Sequence, residues 1–195
     1  LANKKLFKSL RIKAPTIESM VGGLSGGNQQ KVVLGKNFGI QPKILLLDEP
    51  TAGVDPKARR DFWDEIHGLA ADGLTVLITT HYMDEAERCH RLAYLAYGHL
   101  LTRGTLSEVI ASGDLTTWSV QGKDLRQLAD KLRRYHGINQ VVAFGNILHV
   151  SSRDSAKLDV AIAVLKSDQH TWTKIDSGLE DVFIGLMGET KDNFS

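Results

Sequence analysis

The run Ile44-Leu45-Leu46-Leu47, followed at once by Asp48-Glu49-Pro50, limits the possible folds more than any other stretch of this chain. A short continuous apolar run bounded by such punctuation reads as a strand buried on both faces, the habit of a parallel sheet. Two adjacent carboxylates then stand at the carboxyl end of that strand, where α/β sheets bind ligands. The flanking sequence agrees. A helical stretch runs from Gly26 to Phe38 and stops at Gly39 and Pro42. Asp55 and Pro56 supply an N-cap and a first-turn proline for a second helix with an apolar face of Phe62, Ile66, Leu69 and Ala70. Gly73 ends it, and Leu74 to Thr80 forms a second apolar strand that leads into His81. Alternating strand and helix is α/β grammar.

Further on, Met83 to Cys89 reads as a short helix and Leu92–Leu95 with Leu100–Thr102 as a hairpin turning at Gly98. Thr105 and Glu108 have the spacing of a capping box. Pattern and composition shift at Ser112-Gly113-Asp114, which places a domain boundary there: 1–112 and 113–195. The second part reads as strand 116–121, helix 124–135, strand 139–144, strand 147–152, helix 155–167 and strand 171–176. That β-α-β-β-α-β order is ferredoxin-like. Its helix faces are read as Leu125 to Leu132 and Val160 to Leu165, with Trp118 and Trp172 in its outermost strands and in its core. Ser177 and Glu180 suggest a last capping box, opening a helix with Leu179, Val182, Phe183, Leu186 and Met187 on one face. His149 and His170 read as surface or core groups, not ligands.

Composition excludes several classes. With 42% hydrophobic and 24% charged residues, the chain is globular, not disordered. Lys plus Arg is 24 against 23 Asp plus Glu, a balance that argues against a general nucleic-acid surface and leaves room for a local patch. One cysteine, Cys89, excludes a disulfide framework. No apolar run approaches the ~20 residues of a membrane span. The basic start, with Lys4, Lys5, Lys8, Arg11 and Lys13, reads as a solvated helix face.

The residues with chemistry to offer fall in order. Ser25-Gly26-Gly27 opens a helix, where free backbone N–H groups and the dipole favour an anion. Asp48 has the position of a Mg²⁺-holding aspartate, and Glu49 that of a group that orients an attacking water. Asp55 caps the next helix. His81, one residue past the second strand, is placed to reach a phosphate or that water. Taken singly, each also has an ordinary structural reading: a tight turn, a solvated strand end, a cap, a strand-end histidine.

In combination they resemble the nucleotide-binding subunit of ABC transporters. Leu24-Ser25-Gly26-Gly27-Asn28-Gln29-Gln30 resembles the family's signature motif, Ile44 to Glu49 its Walker B strand with the catalytic glutamate, Ala52 to Asp55 its D-loop, and His81 its switch histidine. The resemblance implies a partial P-loop-type α/β sheet followed by a small α+β accessory domain. It implies ATP and Mg²⁺ as cofactors, with Glu49 and His81 catalytic, Asp48 at the metal, and Ser25, Gly26, Gly27, Gln29 and Asp55 at nucleotide. It also implies a second nucleotide-binding subunit facing the first head to tail, transmembrane permease partners, and a place on the cytoplasmic face of the membrane.

Thr80-His81-Tyr82-Met83-Asp84-Glu85-Ala86-Glu87 and Ser177-Gly178-Leu179-Glu180-Asp181-Val182-Phe183 resemble the drug-, lipid- and polysaccharide-export branch. Asn28-Gln29-Gln30-Lys31 resembles the sugar-importer branch instead, and a soluble, non-transport ABC ATPase is a further alternative. The large departure is that no G-x-x-x-x-G-K-[ST] phosphate loop occurs in the chain. With Leu1 in place of Met, this leads to the expectation that the chain is the C-terminal part of such a subunit and inactive alone.

Overall fold

The computed structural model describes residues 10, 12–16, 18–38 and 42–189. Most of the basic N-terminal stretch, and the stop at Gly39, lie outside the described residues. Two compact units divide the chain, Leu1–His81 and Tyr82–Ser195. The division thus falls between His81 and Tyr82, whereas the sequence pattern suggested 112–113.

In the first unit a 3-10 turn at Val21–Gly23 leads into α1 (Gly26–Phe38), followed by β1 (Ile44–Asp48), α2 (Pro56–Ala71) and β2 (Thr75–Thr79). β1 and β2 pair in parallel, from Ile44 opposite Thr75 to Asp48 opposite Thr79. α2 contacts both α1 and β2. It starts where Asp55 accepts the Lys57 and Ala58 N–H groups at 3.1 and 3.0 Å, and it buries Phe62, Trp63 and Ile66. Leu69 and Ala70 are only half-buried, and Trp63, which the face read from the sequence left out, is buried.

The expectation that β1 is buried on both faces does not hold. Leu45 is 5% exposed, but Ile44 is 60%, Leu46 68% and Leu77, on β2, 61% exposed. Side chains alternate across a strand, so one face of this parallel pair is covered and the other carries those three apolar groups to the surface. Parallel sheets ordinarily carry helices on both faces.

The second unit begins with α3 (Met83–Ala86), shorter than the sequence suggested, and the hairpin β3 (Leu92–Ala96) and β4 (His99–Gly104). Tyr97 and Gly98 both take positive φ, 51° and 79°, the backbone that a two-residue type I′ turn needs. α4 (Leu106–Ser112) starts with the expected box: Thr105 Oγ1 accepts the Glu108 N–H, and the Glu108 carboxylate accepts the Thr105 N–H. Those bonds hold the Glu108 carboxyl below its ordinary pKa.

Next come β5 (Thr116–Gly122), α5 (Leu125–Leu132), β6 (Gln140–Phe144), β7 (Ile147–Ser152), α6 (Ser155–Leu165) and β8 (His170–Ile175). The sheet order is β6-β7-β5-β8, antiparallel throughout, as the ferredoxin-like arrangement requires. Its core includes Val120, Leu128, Leu132, Val150, Leu158 and Trp172. β5 lies inside the sheet, so Trp118 is not on an outer strand; Trp172 is on the β8 edge. The face read for α6 is also corrected. Leu158, Ala161 and Ile162 point inward, while Val160 and Val164 are 61% and 63% exposed. α6 is apolar nearly all round, so its sequence pattern does not identify the buried stripe.

The terminal α7 (Leu179–Glu189) packs Leu179 and Phe183 against Val109, with Met83, Leu92, Tyr94 and Leu106 around them. The Tyr94 and Phe183 rings stack at 4.1 Å. Its start differs from the expected box of Ser177 and Glu180. Asp181 Oδ2 accepts the Gly178 N–H at 2.9 Å, and Asp181 Oδ1 meets His149 Nδ1 at 2.9 Å. The Ser177 hydroxyl instead donates to the Leu115 carbonyl and bonds the Thr117 hydroxyl. The one-residue shift follows from burial. Asp181 is 1% exposed and can be buried only with its hydrogen bonds made, whereas Glu180 faces solvent.

Candidate functional site

The first unit carries all of the residues singled out from the sequence, in two groups. The first is at the carboxyl ends of β1 and β2. The parallel register sets Asp48 directly opposite Thr79, whose hydroxyl donates to Asp48 Oδ1. The next residue, Glu49, leaves the strand with φ 42°. A non-glycine residue in that region costs of order 1–3 kcal/mol and persists where its surroundings dictate it. Here the Glu49 N–H donates to the Thr79 carbonyl at 3.0 Å and meets Thr79 Oγ1 at 3.3 Å. The turn closes with the Ala52 N–H on the Glu49 carbonyl at 3.1 Å. Glu49 Oε1 then lies 3.0 Å from His81 Nδ1, with both side chains about half exposed (51% and 58%). An ion pair so open to water contributes about 0–1 kcal/mol to stability, so its geometry is of more interest than its energy.

The second group is built on α1 and the start of α2. Ser25 Oγ accepts from Asn28 Nδ2 at 2.9 Å, Asn28 Oδ1 accepts the Lys13 N–H at 2.8 Å, and Gln29 Nε2 donates to the Leu24 carbonyl at 2.8 Å. Asn28 thereby ties the helix start to the preceding segment. Gly27 is buried, and a Cβ there would lie 2.6 Å from the Ala58 Cβ. Only glycine allows α1 and α2 to approach so closely. A Cβ on Gly26 would meet Val54 at 4.0 Å. The signature-like segment and the Ala52–Asp55 turn therefore lie side by side.

No group of three or more His, Cys, Asp or Glu side chains among the described residues could hold a metal ion by itself. Asp48 offers one hard carboxylate. That suits Mg²⁺, which typically takes one or two carboxylates plus waters and phosphate oxygens. Thr79, which touches both acids, was not singled out from the sequence. Its signal in the sequence was its place two residues before His81; its register with Asp48 is seen only in the fold.

A family model described as ABC transporter matches residues 3–52. Nod factor export ATP-binding protein I of Ralstonia nicotianae is 34% identical over 93% of this chain and 57% of its own length. The protein of that name from Burkholderia pseudomallei is 40% identical over 65% of this chain and 41% of its own. The chain is similar to ABC transporter ATP-binding proteins along 93% of its length. A solved ATP-binding cassette of an ABC transporter, in its ADP conformation, superposes with a TM-score of 0.50 at 29% identity, over 55% of this chain and 42% of that one. A nucleotide-free ATP-binding cassette gives 0.50 at 28% identity, over 53% and 41%. The chain spans about half the length of these ABC relatives. No helix of the described residues is long and apolar enough to cross a membrane.

Proposed function

We propose that this chain supplies the hydrolytic carboxylates and the signature segment of the ATP-driven subunit of an exporter. The observation that carries the reading is the approach of Glu49 to His81 at 3.0 Å, beside Asp48 and at the ends of parallel strands. In that role Glu49 orients and deprotonates the attacking water, and His81 holds the other side of the reacting phosphate. Asp48 holds Mg²⁺, which when bound neutralises phosphate charge. The ATP phosphates themselves need a loop with a lysine, and no G-x-x-x-x-G-K-[ST] stretch occurs in these residues.

Ser25, Gly26, Gly27 and Gln29, at the start of α1, serve the nucleotide of a second subunit arranged head to tail, and Asp55 stands at the join between the two. Export is favoured over import because the relatives above are named as export ATP-binding proteins. Permease partners and the cytoplasmic membrane face follow from that role. The β-α-β-β-α-β part within the second unit serves regulation or assembly, since the chemistry-bearing groups all lie in the first unit.

His81→Ala in the whole protein tests the assignment. Steady-state phosphate release is expected to fall about tenfold or more, because a group that holds the reacting phosphate is lost. ATP affinity, read by fluorescent-nucleotide titration, is expected to hold. Turnover equal to the unmodified protein would remove His81 from the site.

A further inference from the structure

Thr79 makes more contacts at the site than its place in the sequence suggests. It sits opposite Asp48 in the parallel register and bonds both acids of the pair. Its hydroxyl donates to Asp48 Oδ1. Its carbonyl accepts the Glu49 N–H at 3.0 Å, and its Oγ1 lies 3.3 Å from the same N–H. The direction of these bonds is fixed by chemistry. A backbone N–H only donates, so the hydroxyl meets Glu49 with a lone pair and its single proton goes to the carboxylate. A bond to an ionised acceptor is roughly twice as strong as a neutral one.

Two consequences follow. Asp48 has one oxygen committed, which fixes the plane of its carboxylate. Glu49 is held at φ 42° by its bonded amide, the conformation from which its side chain reaches His81. Shape alone does not require threonine here. Valine has the same branching and suits a strand at least as well, and Thr79 is exposed, so no tight cavity selects the smaller polar group.

We infer that Thr79 is a positioning residue for the acid pair, setting the Asp48 carboxylate for the metal and the Glu49 backbone for the water. The inference rests on the ATPase reading of the site. Partners that orient a metal-binding carboxylate are worth roughly 10–100-fold in metal affinity.

The test uses the whole protein with Thr79→Val and Thr79→Ser. Thr79→Val removes the hydroxyl and keeps the shape; Thr79→Ser keeps the hydroxyl. The Mg²⁺ concentration for half-maximal ATP turnover is expected to rise about tenfold in Thr79→Val and to return to within about twofold in Thr79→Ser. A second readout does not depend on turnover. In a Glu49→Gln background with ATP present, electron paramagnetic resonance of free Mn²⁺ is expected to show about tenfold weaker retention when Thr79→Val is added, and recovery with Thr79→Ser. Equal loss in both variants, or no loss in Thr79→Val, overturns the role of Thr79. If Glu49→Gln alone leaves turnover unchanged, the ATPase reading of the site itself has failed, and the two failures are thereby told apart.

Discussion

Glu49→Gln in the whole protein is expected to reduce ATP turnover by about 10²–10⁴-fold, the usual contribution of a general base. ATP binding should be retained, and the ATP-bound dimer should accumulate. Glutamine has the same length and the same backbone preferences, so the left-handed turn at residue 49 and its amide bond to Thr79 survive. What is lost is the carboxylate that meets His81 at 3.0 Å. Because that pair is half exposed, its loss costs about 0–1 kcal/mol of stability. The variant should therefore melt close to the unmodified protein while hydrolysing ATP hardly at all. Single-turnover phosphate release and a thermal melt on the same preparation check both halves. Near-normal release would refute the assignment, and a large fall in melting temperature would show that Glu49 matters to the fold instead.

Gly27→Ala is expected to destabilise the protein by about 1–3 kcal/mol, the usual cost of overpacking. Helix propensity alone predicts the opposite sign, since alanine is about 1 kcal/mol better than glycine inside a helix. Packing outweighs propensity because the added Cβ would lie 2.6 Å from the Ala58 Cβ, with the Ala58 Cα at 3.7 Å. α1 must move off α2, and the Ser25–Gln29 segment moves with it. Urea unfolding of Gly27→Ala, Ala58→Gly and the double variant checks this. Ala58→Gly alone should cost about 1 kcal/mol, and the double variant should be more stable than the sum of the two by at least about 1 kcal/mol, because the second change makes room for the first. Strict additivity would mean that the close approach is not what glycine provides.

How much of this was legible in the sequence depends on how local each signal is. Asp48 and Glu49 were legible because an apolar run ends abruptly in acids, and Asp55 and Thr105 because capping is decided within a turn of helix. The β-α-β-β-α-β order was legible for the same reason, with the Gly145 turn at φ 59° punctuating its central hairpin. Thr79 was not, since its importance comes from a cross-strand register with a residue far back in the chain. The surface positions of Ile44, Leu46 and Leu77 were hidden too, because an apolar run does not say which of its faces is covered. Asp181 was passed over for Glu180, one residue away, because the choice was made by His149 on a distant strand. The division between His81 and Tyr82 was not legible, because α7 returns to pack beside α4 and Tyr94 and so joins residues 82–112 to the C-terminal part.

The central claim is that the acid pair at the end of β1 and the glycine-rich start of α1 serve different nucleotides in a two-subunit ATPase. Mixing two inactive variants of the whole protein tests it most directly. Ser25→Arg blocks the signature segment but leaves Glu49 intact, and Glu49→Gln does the reverse. Each alone should be nearly inactive. In an equal mixture allowed to exchange subunits, half of the dimers are mixed, and each mixed dimer has one complete site, so phosphate release should recover to about a quarter of the unmodified rate. Release that stays at the level of the separate variants would contradict the account, because it would place both groups at the same nucleotide of one subunit.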